Sequence, residues 1–177
     1  MNARNIPVAI INPDAPATSL EAKQPDIDNG SECYSKDGYF SREYMAQEWE
    51  KMWTRSWLIA GVGSDIREVG DFFVFDVGQE SIIVTRTEEG IKAFYNVCSH
   101  RGSKLVWEER GNRKVFVCPF HSWSFHNNGE LRRITDEETF QPEVIAHRPG
   151  LTPVACAEHA GIVFISMSDQ PPPLAEA

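Results

Sequence analysis

The sequence predicts a mainly β fold, with small antiparallel sheets forming a sandwich or barrel and one helix in front of them. Three observations predict it. Short apolar runs with a period of two recur after residue 57, glycine-bearing turn signals separate them, and one stretch of 3.6-residue periodicity precedes them. With 177 residues, 41% of them apolar and 24% charged, the chain has the length and composition of an ordinary globular domain with some accessory structure.

Taken in order, residues 1–34 carry Pro7, Pro13, Pro16 and Pro25 among polar residues and are expected to form an extended or disordered arm. A helix is expected over 41–53. Ser41 suits its N-cap, Glu43 suits the positive end of its dipole, and Met45, Trp49, Met52 and Trp53 share a face for packing. Strands follow at Trp57–Val62, Phe72–Val77, Ser81–Thr85, Ile91–Val97 and Ile162–Met167. Val69-Gly70-Asp71, Val77-Gly78 and Glu89-Gly90 mark reversals, and Asn128-Gly129 marks a tight hairpin. The expected organisation is a domain over 35–168, followed at 169–177 by a stiff Pro-rich linker.

A net charge of −9 argues against general nucleic-acid binding, which needs concentrated Lys and Arg. The charge is uneven. Residues 98–133 hold seven basic side chains against three acidic ones, whereas 134–177 hold Arg148 against seven acids. No apolar run approaches the roughly 20 residues that span a bilayer, and Val8–Ile11 is too short for a secretory signal, so no membrane partner is expected. A cytoplasmic location follows, with the four cysteines as metal ligands or free thiols.

The informative residues are Cys98-Ser99-His100 and, after a gap of seventeen residues, Cys118-Pro119-Phe120-His121. Two thiolates and two imidazoles suit zinc or iron, not Ca²⁺ or Mg²⁺. Structural zinc sites usually bring cysteines as one pair and histidines as another. Here each loop supplies one of each, as a Rieske cluster requires: one iron takes two thiolates and the other two imidazoles.

The stretches Asn96–Leu105 and Cys118–Phe125, followed by Gly129-Glu130-Leu131, closely resemble the N-terminal Rieske domain of the α subunits of bacterial aromatic ring-hydroxylating oxygenases. Trp49, Trp53, Trp57, the Gly70-Asp71-Phe72 turn, Gly161–Phe164 and the Pro-rich end extend the resemblance over about residues 35–177. It implies a Rieske [2Fe–2S] cluster bound within about 94–131, with Cys98 and Cys118 on a buried iron and His100 and His121 on an outer one. It further implies a reductase or ferredoxin as electron donor. The electron would leave through His100 or His121 to a mononuclear Fe(II) in a catalytic domain, on the same or a neighbouring subunit. Ser122 and Phe120 replace the Gly and Tyr often found beside the second histidine. Respiratory Rieske proteins carry an extra cysteine in each loop, forming a disulfide, and hydroxyls that raise the potential. Ser103, Phe120, Trp123 and Phe125 stand at those positions here, which implies a lower potential.

His126, His147 and His159 form no pair with a suitably spaced acid, so they read as ordinary surface or hydrogen-bonded histidines, and Cys33 and Cys156 as free or packed thiols. The chain is therefore expected to relay an electron without hydroxylating anything itself, as one part of a longer or split oxygenase. Arg101 and Lys104 could guide an acidic donor. A free-standing Rieske-type ferredoxin is the alternative, disfavoured by length and the Trp-rich helix, and a zinc-stabilised binding module is a third reading. The oxygenase substrate is not written in these residues.

Overall fold

The computed structural model describes residue 33 and residues 35–176; apart from Cys33, the arm expected at 1–34 lies outside the described residues. Helical structure begins before the expected start, with α1 (Asp37–Phe40) and α2 (Arg42–Glu48) running into a π-helical turn at Trp49–Trp53. Ser41 does cap α2. Its hydroxyl accepts from the Tyr44 N–H at 3.1 Å and donates to Glu43 at 2.8 Å.

The packing face departs from expectation. None of these three segments buries a residue fully. Met45 and Met52 stay 58% and 43% exposed, while Trp49 and Trp53 are half-buried. The π turn is closed by the Thr54 N–H on the Trp49 carbonyl at 3.2 Å. Side chains advance less per residue there than in an α-helix, which turns Met52 off the stripe. The Trp49 ring instead covers Gly78, whose backbone leaves no space for a Cβ beneath it.

The strands are β1 (Leu58–Val62), β2 (Asp71–Val77), β3 (Glu80–Thr87), β4 (Gly90–Tyr95), β5 (Arg110–Asn112), β6 (Val115–Val117), β7 (Ser124–His126), β8 (Leu131–Arg133), β9 (Pro153–His159) and β10 (Ile162–Ser166), with α3 (Pro142–Ala146) between β8 and β9. They pair antiparallel in a seven-stranded sheet, β1-β10-β9-β4-β3-β2-β5, and a three-stranded sheet, β6-β7-β8. The five expected strands are β1–β4 and β10. Strands β5–β8, of three residues each, are too short for alternation to register.

The pleat sends alternate residues of the central strands to opposite sides. Phe73, Ile82, Val84 and Ala93 join Val154, Val163 and Ile165 in one core. Phe72, Ile83 and Phe94 face the other way and meet Phe116 and Phe125 of the small sheet, together with Cys98, Cys118 and Trp123. The Phe72 and Phe116 rings make an edge contact at 5.6 Å between the two sheets. The metal-motif cysteines thus belong to an interior core.

The Asn128-Gly129 signal closes the β7–β8 hairpin, where the Gly129 N–H donates to the His126 carbonyl at 3.0 Å. After β10 the chain crosses Trp57, whose Nε1–H donates to the Pro172 carbonyl at 2.8 Å. Among the described residues no helix is long and apolar enough to cross a membrane.

Candidate metal centre

The two motif loops share one backbone design. In the loop between β4 and β5, the Cys98 N–H donates to the Ser103 carbonyl at 2.8 Å and the Gly102 N–H to the Cys98 carbonyl at 3.0 Å. Between β6 and β7, the Cys118 N–H donates to the Trp123 carbonyl at 2.7 Å and the Ser122 N–H to the Cys118 carbonyl at 2.9 Å. The offsets are identical. Each loop curls back over its cysteine, although the histidine stands at the second position after it in one loop and at the third in the other.

Asn96, 4% exposed, braces the first loop. Its carbonyl oxygen accepts from the Leu105 and Val106 N–H groups at 3.1 and 2.9 Å, and its amide donates to the Val106 carbonyl at 2.8 Å and to Ser81 of β3 at 3.2 Å. A strap at 145–151 crosses both loop regions. The Ser99 hydroxyl donates to the Pro149 carbonyl at 3.1 Å, and the Leu151 N–H donates to the Gly129 carbonyl at 2.8 Å.

Cys98 and Cys118 are each 2% exposed, and both belong to the same buried cluster. Burial, more than anything else, pushes the Cys98 thiol up. Burial opposes ionisation of Cys118 too, but the N–H groups of His121 and Phe120, with the Cys98 and Ser103 side chains, outweigh it and hold that thiol below its ordinary range.

His100 and His121 are half-buried, with ring centroids 4.8 Å apart. The Nδ1 atom of each is buried without a hydrogen-bond partner. Such atoms are rare in folded proteins and point to a group that completes them. Burial first, then the charges of His121, Arg148 and Arg101, lower the His100 pKa and keep its ring a neutral donor. Among the described residues no three His, Cys, Asp or Glu side chains converge on a single ion position. The donors are grouped instead as a thiol pair and an imidazole pair, which fits a two-iron cluster better than one tetrahedral ion.

Aromatic residues wall the imidazoles. Trp123, 1% exposed, stacks on His100 at 4.3 Å and 8°, and Phe140 meets both rings edge-on at 5.9 and 6.2 Å. Phe120 covers His121 at 3.9 Å while remaining 62% exposed itself. The expected basic island is partly neutralised. Lys104 pairs with Asp76 at 3.7 Å, Arg110 with Asp65 at 2.9 Å, and Arg113 with Glu108, which leaves Arg101, Lys114, Arg132 and Arg133 exposed.

Of the remaining candidates, His126, His147 and His159 are exposed. All four cysteines are free, and burial followed by Glu158 pushes the Cys156 thiol up to about 12. Phe140 and Arg148 are the site residues absent from the sequence reading, being far along the chain from His100 and Trp123. Asn96 and Trp123 lie inside the motif stretches, but their contacts with the Leu105 and Val106 amides and with the His100 ring come only from the fold.

Fold and paired loops together define an iron–sulfur electron-transfer domain of the Rieske class. Residues 56–149 match the Rieske [2Fe-2S] domain, and the chain belongs to that family. It is 34% identical over 160 residues to the glycine betaine monooxygenase oxygenase subunit of Chromohalobacter salexigens, covering 90% of this chain and 34% of that one. It is 37% identical over 135 residues to the large oxygenase component of the naphthalene 1,2-dioxygenase system of Pseudomonas aeruginosa, covering 75% and 30%. Among solved structures, the apo form of a quaternary ammonium Rieske monooxygenase superposes with a TM-score of 0.75 at 28% identity, covering 81% of this chain and 42% of that one. Naphthalene 1,2-dioxygenase with indole bound gives 0.73 at 35% identity, covering 78% and 32%. The chain spans about a third of the length of the curated relatives it matches.

Proposed function

We propose that this chain carries single electrons through a Rieske cluster held by Cys98, His100, Cys118 and His121. It would receive each electron from a reductase or ferredoxin and pass it to the mononuclear iron of an oxygenase catalytic domain, on the same or a neighbouring subunit. The pair of buried, unpartnered Nδ1 atoms beside two buried thiols carries this reading. When bound, such a cluster supplies one-electron redox chemistry, with thiolates on one iron and imidazoles on the other.

The protein residues divide the remaining work. Cys98 and Cys118 lie in the core, where they exclude water from one end of the site. His100 and His121 bring the other end toward the surface, and the Trp123, Phe140 and Phe120 rings shelter their faces. Arg101 stands exposed beside them, placed to attract an acidic donor. We assign residues 35–168 to the electron-transfer domain and 169–177 to a linker toward a catalytic domain. The relatives include both naphthalene dioxygenases and betaine or carnitine monooxygenases, so one cluster domain serves aromatic and quaternary ammonium chemistry. Substrate choice then belongs to the catalytic domain.

The test is iron, acid-labile sulfide and zinc analysis of the purified chain, followed by incubation with a reductase and an aromatic substrate. Two irons and two sulfides per chain, with a chromophore that bleaches on reduction and no hydroxylated product, are expected. Stoichiometric zinc would overturn the cluster. Hydroxylated product would overturn the placement of oxygen chemistry elsewhere.

A further inference from the structure

Residues 134–177 carry a single basic side chain, Arg148, among seven acids, and the fold brings that one cation to the cluster loops. Its guanidinium carbon lies 5.2 Å from the centroid of the Trp123 ring, whose indole is stacked on His100. The strap fixes it there. The Arg148 N–H donates to the Ile145 carbonyl at 3.0 Å, and the Ser99 hydroxyl holds the next residue, Pro149, by its carbonyl. Two residues on, a Cβ at Gly150 would collide with the Gly129 carbonyl, so the strap runs tight against the β7–β8 hairpin.

The charge at Arg148 is uncompensated. Its Nε is buried with no hydrogen-bond partner, and among the described residues no carboxylate forms an ion pair with it. The other basic groups near the first loop differ: Lys104, Arg110 and Arg113 each have an acidic partner, and Arg101 is solvated. A half-buried guanidinium that cannot lose its proton acts as a fixed positive charge, less screened than an exposed one.

We infer that Arg148 is a positioning residue for the redox centre: it raises the centre's reduction potential by holding an uncompensated positive charge at the Trp123–His100 stack. This rests on the cluster assignment above. Reduction adds one electron and therefore one negative charge to the site, and a fixed cation nearby stabilises the reduced form more than the oxidised form. Ser103, Trp123 and the loop amides set the local contacts, while Arg148 supplies the net charge.

Dye-mediated redox titration of the cluster-loaded chain, with dithionite as reductant, tests this in wild type, Arg148→Gln, Arg148→Met, Arg148→Lys and Arg101→Gln. The neutral Arg148 variants should disfavour reduction by about threefold to tenfold, a fall of about 28 to 59 mV for a one-electron couple. Arg148→Lys should recover most of that fall, and Arg101→Gln should shift the potential less. Iron and sulfide content is measured on every sample. A neutral variant with full cluster content and an unchanged potential would overturn the inference, as would a Lys variant that falls as far as Gln. A wild-type chain without an iron–sulfur chromophore would overturn the cluster assignment instead.

Discussion

Gly102 and Ser122 occupy equivalent places, each four residues after a motif cysteine, each donating its N–H to that cysteine's carbonyl, and each left-handed, with φ of 73° and 59°. Glycine adopts this conformation freely, whereas a residue with a Cβ is strained there. The second loop therefore keeps the first loop's backbone at a cost. Ser122 is exposed, so burial of its side chain does not offset that strain.

Ser122→Gly should thus stabilise the chain, by about 0.5–1 kcal/mol after the extra entropy of glycine in the unfolded state is subtracted. Gly102→Val should do the reverse, by about 1–3 kcal/mol. Denaturant unfolding of the two variants checks both signs. A destabilised Ser122→Gly would mean that the hydroxyl has a role of its own.

Asn96→Leu should be among the most damaging single changes outside the four proposed ligands. It strands the Leu105 and Val106 N–H groups and the Val106 carbonyl in the interior, at about 1–3 kcal/mol for each unsatisfied group and less than their sum together. A loss of about 3 kcal/mol and a lower iron content per chain are expected. Asn96→Asp keeps the acceptor for both N–H groups and should fall between wild type and Leu in iron content.

Asp71 gives the fold an acid dependence. Hydrogen bonds from the Asn112 side chain and then the Glu68 N–H hold its carboxyl below the ordinary 3.8. A carboxylate whose folded pKa is depressed contributes stability that is complete above the unfolded value and is lost as pH falls through the folded one. Asp71→Asn should therefore melt below wild type at pH 7, and the gap should close below pH 3.8. A gap of constant size across that range would show that the carboxylate charge is not involved.

Reduction by a natural donor should slow with added salt, because Arg101 presents a solvated charge beside His100. Arg101→Ala should flatten the dependence. Lys104→Ala should change it less, since Asp76 already offsets that ammonium. Stopped-flow reduction at several ionic strengths measures this, and equal salt slopes in all three proteins would remove Arg101 from donor recognition.

The four proposed ligands are legible in sequence because the chemistry of such a cluster demands fixed residue types at short spacing, and β1–β4 are legible because their runs last at least five residues. The wall of the site is not. Trp123 reads along the chain as a missing hydroxyl, and only tertiary packing makes it the surface on which His100 stacks. Arg148 lies 27 positions after His121 in an acidic stretch, with no local pattern tying it to either loop. Charge counting fails for a related reason: Lys104 looks free along the chain, yet β2 delivers Asp76 to it across the fold. Met52 misses the core because the π turn changes the period on which its expected place depends.

The central claim is that His100 and His121 ligate one iron through their buried Nδ1 atoms while Cys98 and Cys118 hold the other. Pulsed EPR of the reduced chain, grown with ¹⁵N-labelled histidine, tests it most directly. The account predicts strong couplings to nitrogens of two histidines, with His121→Ala abolishing at least one of them. A reduced cluster without strongly coupled histidine nitrogen, or couplings that survive unchanged in both His100→Ala and His121→Ala, would contradict it.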